Sequence, residues 1–299
     1  MTVRVLLVAA LAVVAGALVA AGAAGSALGG PDAPPAGSGA PTRAAAPARY
    51  HLSLGDSLAR GVQPAPDGRP ARTREGYGPI VARSRRLALV ELGCPGETIV
   101  TMAGSGSRCR YRAGSQLRAA EAFLRRHRGR VALVTLSIGG NDVLRCGSVS
   151  GVDPVCASAR AFEVPPVAGA LARRLRRAGG GVRVVGLTYS NPFLGLYLRG
   201  EEGRRAALAS APLAASFNSR LRRSYSRAGA GTADVARAFG SSQLDRLESG
   251  PGGTAVPVAV ARLCRLSWAC APPPRGPDIH PNAEGYRVIA REVLRAARR

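Results

Sequence analysis

The run from Val131 to Ile138, VALVTLSI, is the stretch that most narrows what this chain can become. It is apolar at nearly every position, rich in β-branched residues, and ended by Gly139-Gly140. A strand without polar alternation must be covered on both faces, which is the condition of a strand inside a helix-flanked sheet. Shorter runs repeat the theme. Tyr50 to Leu54 reads as a strand ending at Gly55, and Leu87 to Leu92 as a second ending at Gly93. Val182 to Leu187 reads as a fourth strand and Thr232 to Ala238 as a weaker fifth. Between them, 115–128, 161–178 and 204–228 carry Leu, Ala and Arg at helical spacing, and Asn282 to Arg299 reads as a closing helix. Pro165-Pro166 is expected at a helix start, where a missing N–H costs nothing. Strands alternating with helices predict an α/β fold whose parallel sheet is covered on both faces. In such sheets ligands bind beyond the carboxyl ends of the strands.

The first 49 of the 299 residues do not share this pattern. Arg4, the apolar run from Val5 to about Ala24 and the small residues after it fit a secretory signal peptide over 1–28. The run is also near the length of a membrane span, so an uncleaved anchor is the alternative. Residues 29–49 are rich in Pro, Ala and Gly and read as a tether. Residues 50–299 are then one folded domain, large enough to bury a core unaided.

Six cysteines, Cys94, Cys109, Cys146, Cys156, Cys264 and Cys270, fall in three local clusters. An even count in an exported chain points to disulfides, with nearest-neighbour pairing expected and other pairings open. No pair has the C-x-x-C spacing of a metal site. The formal charge is +24, from 42 basic against 18 acidic side chains, and every basic residue is Arg. Such a surface is drawn weakly to anionic envelope polymers, or is simply solvated. Aromatic residues are only 4% of the chain, too few for a base-stacking platform, and an export signal also argues against nucleic acid. A secreted or envelope-facing monomer is the expectation.

Four turns carry candidate chemistry. The first strand runs into Gly55-Asp56-Ser57-Leu58, which places a serine hydroxyl at a strand end and near the N-terminus of the next helix. Nearby N–H groups there suit a developing anion, although Asp56 or Ser57 would equally serve as a helix cap. Gly93-Cys94-Pro95-Gly96-Glu97-Thr98 follows the second strand, and Gly96 either brings its N–H close to a ligand or makes an ordinary tight turn. Gly139-Gly140-Asn141-Asp142 ends the third. The Asn141 amide there suits an oxyanion, and the segment suits an Asn-Asp turn as well. Asp278-Ile279-His280-Pro281-Asn282 opens the last helix. Of the three histidines, His51 lies inside the first strand and is expected to be structural, and His127 ends a basic helix and is expected to be exposed. His280 is the best available base. No serine is flanked by glycines two residues before and two after, and neither an H-E-x-x-H motif nor a phosphate-binding loop occurs.

Taken together, the blocks GDSL, CPGET, GGND and DIHPNAEGY resemble those of the SGNH hydrolases, also called GDSL esterases and lipases. Ser57, Gly96, Asn141 and His280 match the name-giving residues in order, and the resemblance covers roughly residues 50 to 299. The cysteine-stapled form is similar to secreted actinobacterial members. The resemblance implies a flavodoxin-like three-layer α/β/α sandwich with about five parallel strands, and no metal or organic cofactor. It also implies cleavage of a carboxylic ester of lipid or acetylated carbohydrate. Ser57 would be the nucleophile and His280 the general base. The backbone N–H groups of Ser57 and Gly96 and the Asn141 side chain would hold the oxyanion. The family's third acid often lies three residues before the histidine. Pro277 stands there, and Asp278 is two residues before, so either Asp278 or a backbone carbonyl orients His280. A non-catalytic envelope-binding module on the same fold is the alternative. The segment Asn191 to Leu198, NPFLGLYL, is either a wall for an apolar chain or a buried loop core.

Overall fold

A computed structural model describes residues 49–148 and 150–298. The export segment, and the tether up to residue 48, lie outside the described residues. Five strands form the central sheet: β1 (Tyr50–Gly55), β2 (Ala88–Glu91), β3 (Val131–Ser137), β4 (Val184–Leu187) and β5 (Gly231–Ala233). All pair in parallel, in the order β2-β1-β3-β4-β5. That is the flavodoxin-like order, and its connections reverse direction between β1 and β3. A crevice opens at the carboxyl ends of these two strands.

The helices are α1 (Tyr77–Ser84), α2 (Ile99–Ala103), α3 (Gln116–Arg126), α4 (Gly140–Leu144), α5 (Pro154–Ala178), α6 (Gly200–Arg227), α7 (Val235–Ala238), α8 (Val258–Leu266) and α9 (Ala283–Ala296). Alternation along β3 assigns its faces. Val134, Leu136 and Ile138 join the core formed with Leu117 and Leu124 of α3, Val164, Leu171 and Leu175 of α5, and Phe217 and Leu221 of α6. Leu133 points the other way, into a core with Tyr77 and Val81 of α1 and Tyr286, Ile289 and Val293 of α9. The last three sit at i, i+3 and i+7, the stripe by which a helix covers a sheet. His51 and Thr135 share this second face, where His51 Nε2 lies 3.0 Å from Thr135 Oγ1. Burial lowers the His51 pKa to about 4, and it therefore stays neutral as a core residue, as its place in a strand predicted.

Several boundaries differ from the sequence reading. The fifth strand stops at Ala233, because Asp234 caps α7 by accepting the Arg237 N–H at 3.2 Å. The helix expected over 161–178 begins at Pro154, with Asp153 accepting the N–H groups of Val155 and Cys156. Pro165-Pro166 therefore lies inside α5 and not at its start. The helix tolerates the pair because packing against α6 and the sheet outweighs the lost backbone bonds. His127 is half-buried, stacked on Phe123 at 4.1 Å between centroids, and not exposed. The residues after Ser57 form successive turns; the next helix is α1, so no helix N-terminus adjoins Ser57. Three disulfides join Cys94 to Cys109, Cys146 to Cys156 and Cys264 to Cys270, the nearest-neighbour pairing. Among the described residues no helix is long and apolar enough to cross a membrane.

Candidate active site

The turn that carries Ser57 is fixed from below. Gly55 has φ +123°, and a Cβ there would lie 1.8 Å from the Ser137 carbonyl oxygen, so only glycine lets β1 turn so tightly against β3. The buried Gln116 side chain then clamps the Gly55 peptide groups. Its Oε1 accepts the Gly55 N–H at 2.6 Å, and its Nε2 donates to the Gly55 carbonyl at 3.0 Å. Asp56 turns inward. Its Oδ1 accepts the Leu58 N–H and the Ser137 hydroxyl, each at 3.0 Å, and its Oδ2 accepts the Tyr189 hydroxyl at 2.8 Å. Burial pushes its pKa up to about 6, against the pull of Tyr189, the Leu58 N–H, Ser137 and the charge of His280. Ser57 is left half-buried at the strand end, facing the crevice.

The second turn is tied to the first. The Glu97 carboxylate accepts from Gln116 Nε2 at 3.2 Å and from the Ser107 hydroxyl at 2.7 Å. The Cys94–Cys109 bridge closes this loop. The Glu97 carbonyl accepts one amide hydrogen of Asn141 at 2.9 Å, which leaves that amide a second hydrogen to offer. Asn141 stands in the first turn of α4, directly after β3. Neither the Ser57 nor the Gly96 N–H has a hydrogen-bond acceptor among the described residues. The Ser57 N–H and the second Asn141 amide hydrogen are donors on residues of one crevice; Gly96 belongs to the turn that holds Asn141 but is not in the cavity wall.

The third turn brings His280. The Cys264–Cys270 bridge holds the loop containing Trp268, whose N–H donates to the His280 carbonyl and whose carbonyl accepts the Asp278 N–H, both at 3.0 Å. Asp278 Oδ1 lies 2.7 Å from His280 Nδ1 and accepts the His280 N–H at 2.8 Å. Burial of Asp278 opposes its ionisation. The hydrogen bond and the charge of His280 outweigh that, so the carboxyl stays below the usual range. The geometry thus puts a carboxylate on the imidazole from two residues away, and leaves Nε2 for the crevice.

One cavity, of about 100 Å³, takes in Ser57, Asn141 and His280. The rest of its wall is mostly apolar: Val143, Leu144, Phe193, Leu213, Phe217 and Ile279 among others. The NPFLGLYL segment divides between its two expected roles. Pro192 and Phe193 line the cavity, whereas Leu194 is buried with α8 in a separate core. Sequence reasoning missed Gln116, Tyr189 and Asn218 and gave Asp56 and Glu97 no role beyond a cap and a turn. Only Tyr189 carried a signal, since it follows a parallel strand at the sheet's carboxyl edge.

The sequence matches the family model described as GDSL-like lipase/acylhydrolase over residues 53–288. Among solved structures, the extracellular lipase of Streptomyces rimosus superposes with a TM-score of 0.53 at 19% identity, covering 84% of this chain and 100% of that one. A GDSL-like lipase from Parabacteroides merdae ATCC 43184, described as putative, gives 0.48 at 15% identity, with 83% and 95% covered. Phospholipase A1 from Streptomyces albidoflavus NA297 gives 0.41 at 21%, with 72% and 95% covered. At such identities the likeness is one of fold. No curated protein matches the chain.

Proposed function

The chain belongs to the GDSL-like lipase/acylhydrolase family, and from that premise we propose that it hydrolyses carboxylic esters through an acyl-enzyme on Ser57. The observation that carries this reading is the Asp278–His280 pair at 2.7 Å, on a loop that delivers His280 to the cavity of Ser57. His280 Nε2 takes the proton as Ser57 Oγ adds to the ester carbonyl. Asp278 holds Nδ1 protonated and stabilises the imidazolium. The oxyanion is met by the Ser57 and Gly96 N–H groups and the free amide hydrogen of Asn141. As the tetrahedral adduct collapses, the C–O bond to the alcohol breaks and His280 returns the proton to the leaving oxygen. Water then adds to the acyl-enzyme, again losing its proton to His280, and the acid leaves as Ser57 is regenerated.

The wall of the cavity favours an acyl chain of several carbons over acetate. Val143, Leu144, Phe193, Leu213 and Phe217 offer it no hydrogen-bonding side chain, and each buried methylene gains roughly 0.8 kcal/mol. Three disulfides support an oxidising, exported location. The charge of +24 supports a position beside anionic envelope polymers.

A p-nitrophenyl ester series from acetate to palmitate, with wild type beside Ser57→Ala, tests the proposal. Wild type should peak above acetate, and Ser57→Ala should lose about 10⁴-fold or more. Equal rates for the two proteins on every ester would support a binding module, and a sharp optimum at acetate would defeat the lipid reading.

A further inference from the structure

Tyr189 touches three parts of the site at once. Its backbone is held at both ends by one side chain: Asn218 Oδ1 accepts the Tyr189 N–H at 2.8 Å and Asn218 Nδ2 donates to its carbonyl at 2.9 Å. Its hydroxyl donates to Asp56 Oδ2 at 2.8 Å, one residue before the nucleophile. Its ring lies over Gly140, where a Cβ would come within 2.6 Å of a ring carbon, and so presses on the turn that presents Asn141. The same ring is part of the wall of the acyl cavity, beside Phe217 at 6.3 Å between centroids.

A tyrosine tethered by its backbone has little freedom but the tilt of its ring. Any tilt moves the hydroxyl relative to Asp56, and Asp56 is an integral part of the turn that aims Ser57. Of the three donors to Asp56, the Leu58 N–H and the Ser137 hydroxyl come from the turn and from the sheet. Leu58 also lines the cavity but donates through its backbone, within the turn itself; of the three, Tyr189 is the one whose donating side chain is itself a wall that an acyl chain would cover.

We propose that Tyr189 is a positioning residue that couples occupancy of the acyl cavity to the alignment of Ser57, by way of its hydrogen bond to Asp56. The coupling rests on the reading of Ser57 as nucleophile. An acyl chain packed against the ring holds the hydroxyl on Asp56 and steadies the nucleophile turn; acetate, too short to cover the ring, does not. Chain length should therefore act on kcat as well as on KM.

The test is Tyr189→Phe on the purified protein, with kcat and KM measured for p-nitrophenyl octanoate and acetate. In wild type the ratio of kcat on octanoate to kcat on acetate should be about ten or more. In Tyr189→Phe kcat on octanoate should fall by about ten-fold or more, as for loss of a hydrogen bond to a charged group. KM should be nearly unchanged because the ring remains, and the ratio should approach one. Ser137→Ala removes a donor to Asp56 that is no part of the cavity wall, and should slow both esters equally. A wild-type ratio of one, an unchanged ratio in Tyr189→Phe, or the same loss of ratio in Ser137→Ala would each overturn the coupling. Should Tyr189→Phe not fold, Asn218→Asp, which loses the donor to the Tyr189 carbonyl but keeps the ring, should show the same flattening; a wild-type ratio there overturns the proposal. Activity surviving in Ser57→Ala would instead defeat the underlying assignment of the nucleophile.

Discussion

On one flank of Ser57, Gln116 and Glu97 tie the turns of Gly55, Gly96 and Asn141 together with buried hydrogen bonds; on the other, His280 rides on a loop pinned mainly to Trp268. The first flank stands on sheet ends and consists of donors that stay where they are. In the proposed mechanism the second carries the group that accepts and returns a proton in each half-reaction. The division suits the proposed chemistry. Oxyanion donors help most when they need no reorganisation, while the base has to serve first the alcohol and then water. Substitutions should therefore separate by flank, with rate effects strongest at the base and stability effects strongest beneath the oxyanion turns.

The sharpest way to break this division is Asp278→Asn. The substitution keeps an oxygen for the His280 N–H but removes the charge that steadies the imidazolium. kcat should fall by up to about 10⁴-fold with the melting temperature little changed. Near-full activity would transfer the orienting role to a backbone carbonyl and leave the base flank without a working carboxylate. Next is Asn141→Ala. Loss of one oxyanion donor should reduce kcat by about 10²–10³-fold. The Glu97 carbonyl also loses its partner, so a stability loss near 1 kcal/mol should accompany it. A rate loss at Asn141 without any effect on stability would mean that the Glu97 contact does not hold the turn.

Gln116→Ala carries the contrast down to the scaffold. It leaves the Gly55 N–H without a partner in a fully buried setting, which costs about 1–3 kcal/mol, and takes one donor each from the Gly55 carbonyl, which keeps the Cys94 N–H at 2.8 Å, and from the Glu97 carboxylate. Thermal unfolding should begin several degrees lower than in wild type. An unchanged transition would show that the Gly55 turn holds itself, without the clamp.

These residues also show where the sequence stops being readable. Ser57, Asn141 and His280 stood out because each follows a pattern set by its own neighbours: an apolar run, a glycine-bearing turn, a proline-bounded loop. Gln116 is an ordinary polar residue at the start of a helix, and the peptide groups it clamps lie 61 positions away. Tyr189 meets Asp56 across 133 positions. Nothing local marks Gln116, and Tyr189 is marked only by its place after a parallel strand; which groups they meet is decided by folding alone. The misplaced start of α5 has the same origin. Proline read locally predicts a helix start, and packing against α6 and the sheet keeps Pro165-Pro166 in the middle of one. The early end of the fifth strand is the opposite case, since Asp234 is a local cap signal overridden in the reading by the apolar residues after it.

Asp56 joins the two flanks, and its titration gives the smallest effect. Its carboxyl sits at about 6 in the folded chain against 3.8 for an ordinary aspartate. Between these values the folded state binds the extra proton, so this group's contribution to stability falls as pH rises from about 4 to about 6 and stays low above that. The implied cost at pH 8 is about 2 to 3 kcal/mol. Asp56→Asn should remove it: Oδ1 can still accept from Leu58 and Ser137, and the new amide can donate to the Tyr189 oxygen. Thermal melts at pH 8 and pH 4 should show the variant gaining on wild type at the higher pH and losing that advantage at the lower. The same variant should be slower at pH 8, because the charge that faces His280 beneath the nucleophile is gone. A gain in stability that is equal at both pH values would show that Asp56 does not titrate in this window. Full activity at pH 8 would place its role in the fold alone, with Tyr189 then holding the turn through geometry and not through charge.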